Sequence, residues 1–196
     1  GVFSMLATIA NAEKYGVRFD VVDDLTGPRL GRPKSATFRT ADVVGLDTFA
    51  HVVKTMQDTL PEDPWHPLFK TPDWLARLIA DGALGQKTRR GIYKKEGKQT
   101  FVLDPLKGEY VEGGQKGDEA VKAILKEADP AVKFKKLRES QHPQAQFLWA
   151  CFRDVFHYIS YHLADIADNA RDLDLAIRWG FGWSTGPFET WQSAGW

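Results

Sequence analysis

Gly27-Pro-Arg-Leu-Gly31-Arg-Pro-Lys-Ser35-Ala-Thr-Phe-Arg-Thr-Ala-Asp42-Val-Val-Gly45-Leu-Asp47 is the stretch that decides the fold, because a half-copy of it closes the chain as Gly182-Trp-Ser-Thr-Gly186-Pro-Phe-Glu-Thr-Trp-Gln-Ser-Ala-Gly-Trp196. With Gly31 laid on Gly182, Asp23 falls on Asp174. A one-residue slip then brings Phe38, Thr40 and Gly45 onto Phe188, Thr190 and Gly195. In each copy a helix-like segment runs to an Asp, a short amphipathic turn follows, and a Gly/Pro-rich bend comes next. Self-similarity at a fixed offset is the signature of a duplicated unit. The unit expected here is all-helical.

Working outward, the spacing predicts a helix over Val2–Tyr15, with Val2, Met5, Leu6, Ile9 and Ala12 on one stripe and Gly16 as its stop. Short helices follow at Phe19–Thr26, with Asp20, Asp23 and Asp24 early or exposed, and near Ala36–Val44, then a longer one over Leu46–Thr59. Pro61–Pro67 is a proline-rich loop. Thr71-Pro72-Asp73 reads as a helix start, with Thr as cap, running to Gly82. The middle differs in kind. Lys98–Val111 alternates like two strands around Asp104-Pro-Leu-Lys-Gly108, a hairpin. Asp118 and Asp129-Pro130 open two charged helices, His142-Pro143 opens a long one reaching about Ala167, and Asp172 caps one ending at Trp179-Gly180. Three stretches result: 1–95, a connector over 96–142, and a second, partial repeat over 143–196.

These residues resemble the C-terminal helical domain of 3-hydroxyacyl-CoA dehydrogenases. That family shows an Asp, a short helix, Gly and Pro in a bend, then Phe, Asp and Gly-Leu-Asp; here they are Asp23, Gly31, Pro33, Phe38, Asp42 and Gly45-Leu46-Asp47. A second signature, G-x-L-G-x-K-T-G-x-G-F-Y, resembles Gly82-Ala-Leu-Gly-Gln-Lys-Thr-Arg-Arg-Gly-Ile-Tyr93, with Arg90 and Ile92 in place of Gly and Phe. The family's Gly-Pro-Phe-Glu survives only in the second copy, at Gly186–Glu189; the first reads Lys34-Ser-Ala-Thr-Phe-Arg39. The resemblance implies an all-α fold of tandem domains of the 6-phosphogluconate dehydrogenase C-terminal type, paired within one chain as a pseudo-dimer and joined by a hairpin-bearing insertion.

It also implies a role. The parent protein would oxidise L-3-hydroxyacyl-CoA with NAD in fatty-acid β-oxidation, in the cytoplasm, with NAD bound by an N-terminal Rossmann domain. An enoyl-CoA hydratase would be fused in the large multifunctional form. This chain would line the acyl-CoA cleft through Lys34, Ser35 and Phe38 and be inactive alone. Gly1 aligns with the Gly of an Asn-Arg-Ile-Gly-like step, so the chain reads as a piece cut inside a helix. Two alternatives stay open: a non-catalytic dimerisation or binding module, and the helical domain of a different hydroxy-acid dehydrogenase.

The rest of the sequence bounds these readings. Twenty-six Lys and Arg balance twenty-six Asp and Glu, which leaves no field to draw nucleic acid or an anionic membrane. No apolar run reaches the roughly 18 residues of a membrane span. The single Cys151, in apolar company, suits a reducing compartment and excludes a disulfide within the chain. Seven Trp and twelve Phe favour buried helix contacts or an apolar acyl-binding surface, packing being the commoner use.

Gly180-x-Gly182-x-x-x-Gly186 is one residue too long for the dinucleotide fingerprint and follows a helix where the fingerprint needs a strand. Gly82–Thr88 lacks phosphate-loop spacing. The five His suggest no metal site, since His157 and His162 lie five apart, on different helix faces. Asp154, Asp165 and Asp168 read as a solvated face. Either Arg32, Lys34 and Arg39 receive a phosphate or thioester-adjacent carbonyl, or Arg32 and Arg39 pair with Asp42 or Asp47 to fix the bend.

Overall fold

The computed structural model describes residues 1–195; the end of the second copy, expected at Trp196, lies outside them. Helix α1 (Val2–Tyr15) ends at Gly16, which takes a left-handed φ of 65° and returns its N–H to the Ala12 and Glu13 carbonyls. Its buried stripe is broader than the expected one, because it packs along most of α8 (Pro143–Ile166) as well as on the core. Asn11 Nδ2 donates to Asp154 Oδ2 at 2.8 Å across that pairing, so Asp154 is tied to α1 and does not belong to a solvated face.

Next come α2 (Phe19–Thr26), a 3-10 turn at Pro28–Leu30, α3 (Phe38–Val44), α4 (Leu46–Thr59) and α5 (Asp73–Ala80). The cap of α5 falls at Pro72, one residue after the expected Thr71. Val21, Val22 and Leu25 of α2, Leu46 and Val53 of α4 and Leu75 of α5 are almost wholly removed from water. Each such side chain contributes about 1.5–3 kcal/mol of hydrophobic stabilisation. Phe19 stacks on Phe38 with ring centroids 3.9 Å apart and also meets Trp74 at 5.1 Å.

The expected hairpin is part of a three-stranded antiparallel sheet: β1 (Tyr93–Glu96), β2 (Gln99–Asp104) and β3 (Glu109–Glu112). β2 and β3 pair around the Asp104–Gly108 turn, while β1 pairs with β2 in the register Tyr93↔Val102 to Glu96↔Gln99. The expected boundary at 95/96 therefore falls inside the β1–β2 hairpin. Val102 and Leu103 of the sheet share one continuous core with α1, α2 and α8. The fold is mostly helical with this small sheet, so the expected all-α fold with one connecting hairpin gains a third strand, β1.

Asp118 and Asp129 cap α6 (Glu119–Leu125) and α7 (Pro130–Glu139) through their side chains, as expected, and His142 Nδ1 caps α8. The cap of α9 (Ala170–Phe181) is Asn169, whose Oδ1 accepts from Asp172 N at 3.0 Å. Asp172 sits one turn in, not at the cap. α10 (Pro187–Ser193) closes the described chain. Phe156 of α8 stacks on Trp191 of α10 at 5.4 Å in a small second cluster with Phe134 and Ala194. His157 and His162 both reach the indole of Trp65, at 5.0 and 5.9 Å, so the two histidines share one aromatic neighbour.

Candidate functional site

The bend between α2 and α3 is organised by Asp23. Its Oδ1 accepts from the backbone N–H groups of Thr37 and Phe38 at 3.0 and 2.7 Å, and its Oδ2 from Arg39 N at 3.0 Å. The Tyr93 hydroxyl donates a further bond to Oδ2 at 2.9 Å. One carboxyl from α2 thus satisfies the first turn of α3, whose N–H groups have no partner inside the helix. Burial pushes the Asp23 carboxyl up to about 6, while its four donors pull the other way. Asp20 and Asp23 are buried, contrary to the exposed positions expected for them.

A second turn is built the same way. Asp174 Oδ1 and Oδ2 accept from Phe188 N and Glu189 N at 2.8 and 2.9 Å. Gly31 and Gly182 lie at φ 68°, ψ 30° and φ 66°, ψ 28°. Thr40 and Thr190 each return a hydroxyl hydrogen bond to the carbonyl four residues back, at 2.7 and 2.9 Å. The one-residue slip is taken up at Ala36, whose φ of 51° is left-handed. For a residue with a Cβ this conformation costs about 1–2 kcal/mol.

The two family-like motifs grip each other. Asp42 accepts from Ile92 N and Tyr93 N at 2.8 and 2.9 Å, Leu46 N donates to Leu84 O at 3.0 Å, and Lys87 pairs with Asp47 at 2.7 Å. A Cβ on Gly85 or Gly91 would lie 2.3 or 2.1 Å from an oxygen of Asp42, so only glycine fits at either place. Besides Gly82 and Gly85, Arg89 of the second motif has a positive φ, 57°, so the replacement for glycine falls there and not at Arg90.

Lys34, Ser35 and Phe38, expected to line one cleft, are placed apart. Phe38 is shut in the core, stacked on Phe19. Ser35 lines an apolar hollow of about 460 Å³ with Met5, Pro33, Val44, Phe49 and Trp183. Lys34 lines a separate polar cleft of about 460 Å³ beside Arg29, Arg39, Tyr93 and Lys116. The alternative pairing of the bend's cations with Asp42 and Asp47 is not what fixes it either. Asp42 holds the backbone at Ile92 and Tyr93, and Asp47 is taken by Lys87. Arg32 lies over the Trp183 ring at 3.9 Å and Arg39 over the Tyr93 ring at 4.1 Å. Burial lowers Arg32 to about 10 and raises the nearby Cys151 thiol to about 12, which leaves that cysteine a poor nucleophile.

Gly180–Gly186 does not have the geometry of a Rossmann-type dinucleotide turn. Gly180–Gly186 runs from the C-terminus of α9 into α10 with no strand before it, and the sheet is antiparallel throughout. Parallel strands feeding a helix N-terminus are what a dinucleotide needs.

The capped bend, with its Gly-Leu-Asp step clasped to a Gly-rich second motif, is the arrangement that comparison with known proteins matches. The family model for the 3-hydroxyacyl-CoA dehydrogenase C-terminal domain matches residues 2–95. Those residues belong to that family. A "Probable 3-hydroxyacyl-CoA dehydrogenase" of Bacillus subtilis is 39% identical over 195 residues, covering all of this chain and 25% of its own length. One of the same description from Deinococcus radiodurans is 42% identical over 95 residues, covering 48% of this chain and 27% of itself. A "Putative fatty acid oxidation complex trifunctional enzyme" of Rickettsia prowazekii is 22% identical over 197 residues, covering 96% of this chain and 25% of itself. The chain spans about a quarter of the length of these curated relatives. For this dehydrogenase C-terminal domain, the sequence pointed to the bend but missed Asp23 as its organising residue. The signal was its alignment with Asp174. No helix among the described residues is long and apolar enough to cross a membrane.

Proposed function

We propose that this chain is the helical part of an NAD-dependent L-3-hydroxyacyl-CoA dehydrogenase of fatty-acid β-oxidation, present in the cytoplasm. It forms one wall of the acyl-CoA cleft and the scaffold on which an N-terminal nucleotide domain, and in the multifunctional form an enoyl-CoA hydratase, is held. The observation that carries this reading is the 39% identity of a match that covers the whole chain, both capped turns included. The name of the Rickettsia relative supports the link to fatty-acid oxidation. NAD belongs to the nucleotide domain, and this chain holds none of it. What these residues contribute is position: Asp23 and Asp42 fix the bend that meets substrate, with Lys34 on its polar side and Ser35 on its apolar side.

We read the chain as a tandem repeat, α1–α2–α3 answering the second half of α8 with α9 and α10. Matched Asp caps, matched glycine dihedrals and matched Thr back-bonds support this. So does a near-reciprocal contact: a Cβ on Gly31 would meet Ser184, and one on Gly182 would meet Pro33. Residue i of each copy thus faces residue i+2 of the other, as in an isologous dimer. The match of the Deinococcus relative to only 48% of the chain fits a unit that also occurs singly.

NADH-dependent reduction of acetoacetyl-CoA tests the proposal, run on this chain and on a longer protein carrying the nucleotide domain. Activity in the longer protein alone is expected. Turnover by the isolated chain, or a longer protein that reduces free keto acids but no CoA ester, would overturn it.

A further inference from the structure

Four cations border the polar cleft beneath the first bend: Arg29, Lys34, Arg39 and Lys116. Three carboxylates share its walls; Asp20 and Asp23 are held by partners other than these cations, and Asp24 offsets the two at the rim. Asp20 is held by Nε and Nη2 of Arg18 and accepts from Gln115 N at 2.9 Å. Asp23 is occupied by its three backbone donors and Tyr93. Asp24 accepts from Gly117 N and answers Arg29 and Lys116 at 3.7 and 3.4 Å. Among the described residues Lys34 and Arg39 make no ion pair.

The second capped turn shows what the scaffold requires by itself. Where the first has Arg39, the second has Glu189, which accepts from Gly186 N at 2.7 Å and pairs with Arg178 at 3.2 Å. An acid in the first turn of a helix suits both the free N–H groups and the helix dipole; a cation there opposes them. At the helix start the fold gains no capping or dipole benefit from Arg39, whose neighbours are the Tyr93 ring and the Asp42 carboxylate. Its guanidinium is nevertheless fixed, lying over Tyr93 at 4.1 Å while Tyr93 is anchored to Asp23 at 2.9 Å. The extra residue at Ala36, held at φ 51°, lengthens the same turn just after Lys34 and Ser35. Strain and an electrostatically adverse residue in one turn mark a function that folding does not explain.

We propose that the cleft binds the phosphate groups of a nucleotide-sized ligand, with Lys34 and Arg39 as the primary contacts and Arg29 and Lys116 at its rim. Its volume, about 460 Å³, is that of an ordinary small-ligand site. Guanidinium and ammonium groups supply the charge-assisted hydrogen bonds that phosphate oxygens take. Coenzyme A and free nucleoside diphosphates share this chemistry. The proposal rests on the reading of Lys34 as a substrate-facing residue, and it is tested by binding alone, so its failure would leave the activity test above untouched.

Calorimetric titration of the 196-residue chain with coenzyme A, ADP and pyrophosphate tests it. Binding of at least one is expected, weakening as salt rises. Arg39→Glu, which writes the second turn's residue into the first, should weaken it about tenfold or more, the loss of one charged hydrogen bond. Lys34→Ala should also weaken it, while Lys133→Ala, outside the cleft, should leave it unchanged; Arg39→Gln serves if Arg39→Glu fails to fold. Binding of coenzyme A alone would assign the cleft to that molecule, and equal binding of ADP would assign it to diphosphates generally. No binding of any probe at millimolar concentration, or binding untouched by both Arg39 substitutions, would overturn the proposal.

Discussion

The turn at Asp23 and the turn at Asp174 share a backbone plan and differ in what surrounds it. The first is covered by α4, α5 and the sheet, so that Val21, Val22 and Leu25 of α2 are lost to solvent entirely or nearly so. The second has no such layer among the described residues. Its helix α9 buries Leu173 and Asp174 but leaves Trp179 79% exposed. One local motif can thus be stable under a thick core or at its edge, because the Asp cap satisfies the helix start without help from the core. What the core decides is how much each capping bond is worth.

The largest effect should come from deleting the caps. At pH 5, Asp23→Ala is expected to cost about 4 kcal/mol, since three backbone N–H groups and a tyrosine hydroxyl lose their acceptor. Asp174→Ala loses two N–H partners nearer solvent and should cost about 1–2 kcal/mol. Urea unfolding measures both, and equal losses would break the comparison.

The next effect is one of pH. The Asp23 carboxyl rises from 3.8 to about 6 on folding. Between those values the folded chain holds a proton that the unfolded chain has released, so stability falls as pH rises through the window. Against Asp23→Asn, which cannot ionise, the wild type should lose about 2 kcal/mol from pH 4 to 6.5. A flat difference between the two would mean that the donors outweigh burial.

The smallest effect separates the two glycines. Each pays the left-handed penalty on becoming Ala, about 1 kcal/mol. Only Gly31→Ala also drives a Cβ to 1.9 Å from Ser184 Oγ; on Gly182 the nearest atom is Pro33 Cγ at 3.4 Å. Gly31→Ala should therefore cost about 2 kcal/mol and Gly182→Ala about 1 kcal/mol. Adding Ser184→Gly should bring the two close together in thermal unfolding.

Much of this was legible in the sequence where one residue decides one geometry. Gly16, Asp118 and Asp129 end or begin helices as their chemistry dictates. Asn169 and Asp172 were confused because both can cap, and they bond each other across the first turn of α9. β1 was hidden because Lys94-Lys95-Glu96 has no apolar alternation; its burial is confined to Tyr93. The candidate site was legible as a bend but not as a surface. Lys34, Ser35 and Phe38 are near neighbours in sequence, yet the left-handed step at Ala36 helps point them to a cleft, a hollow and the core.

Where the two bends abut, Ser184 N donates to Gly31 O at 2.8 Å. The mirror-image bond would need an N–H at position 33, and proline has none. In a contact between two separate identical chains, a change on one side is imposed on the other. Within a single chain the two sides of such a contact can differ, and the one-way bond at Pro33 leaves the two turns chemically unlike while they stay in contact.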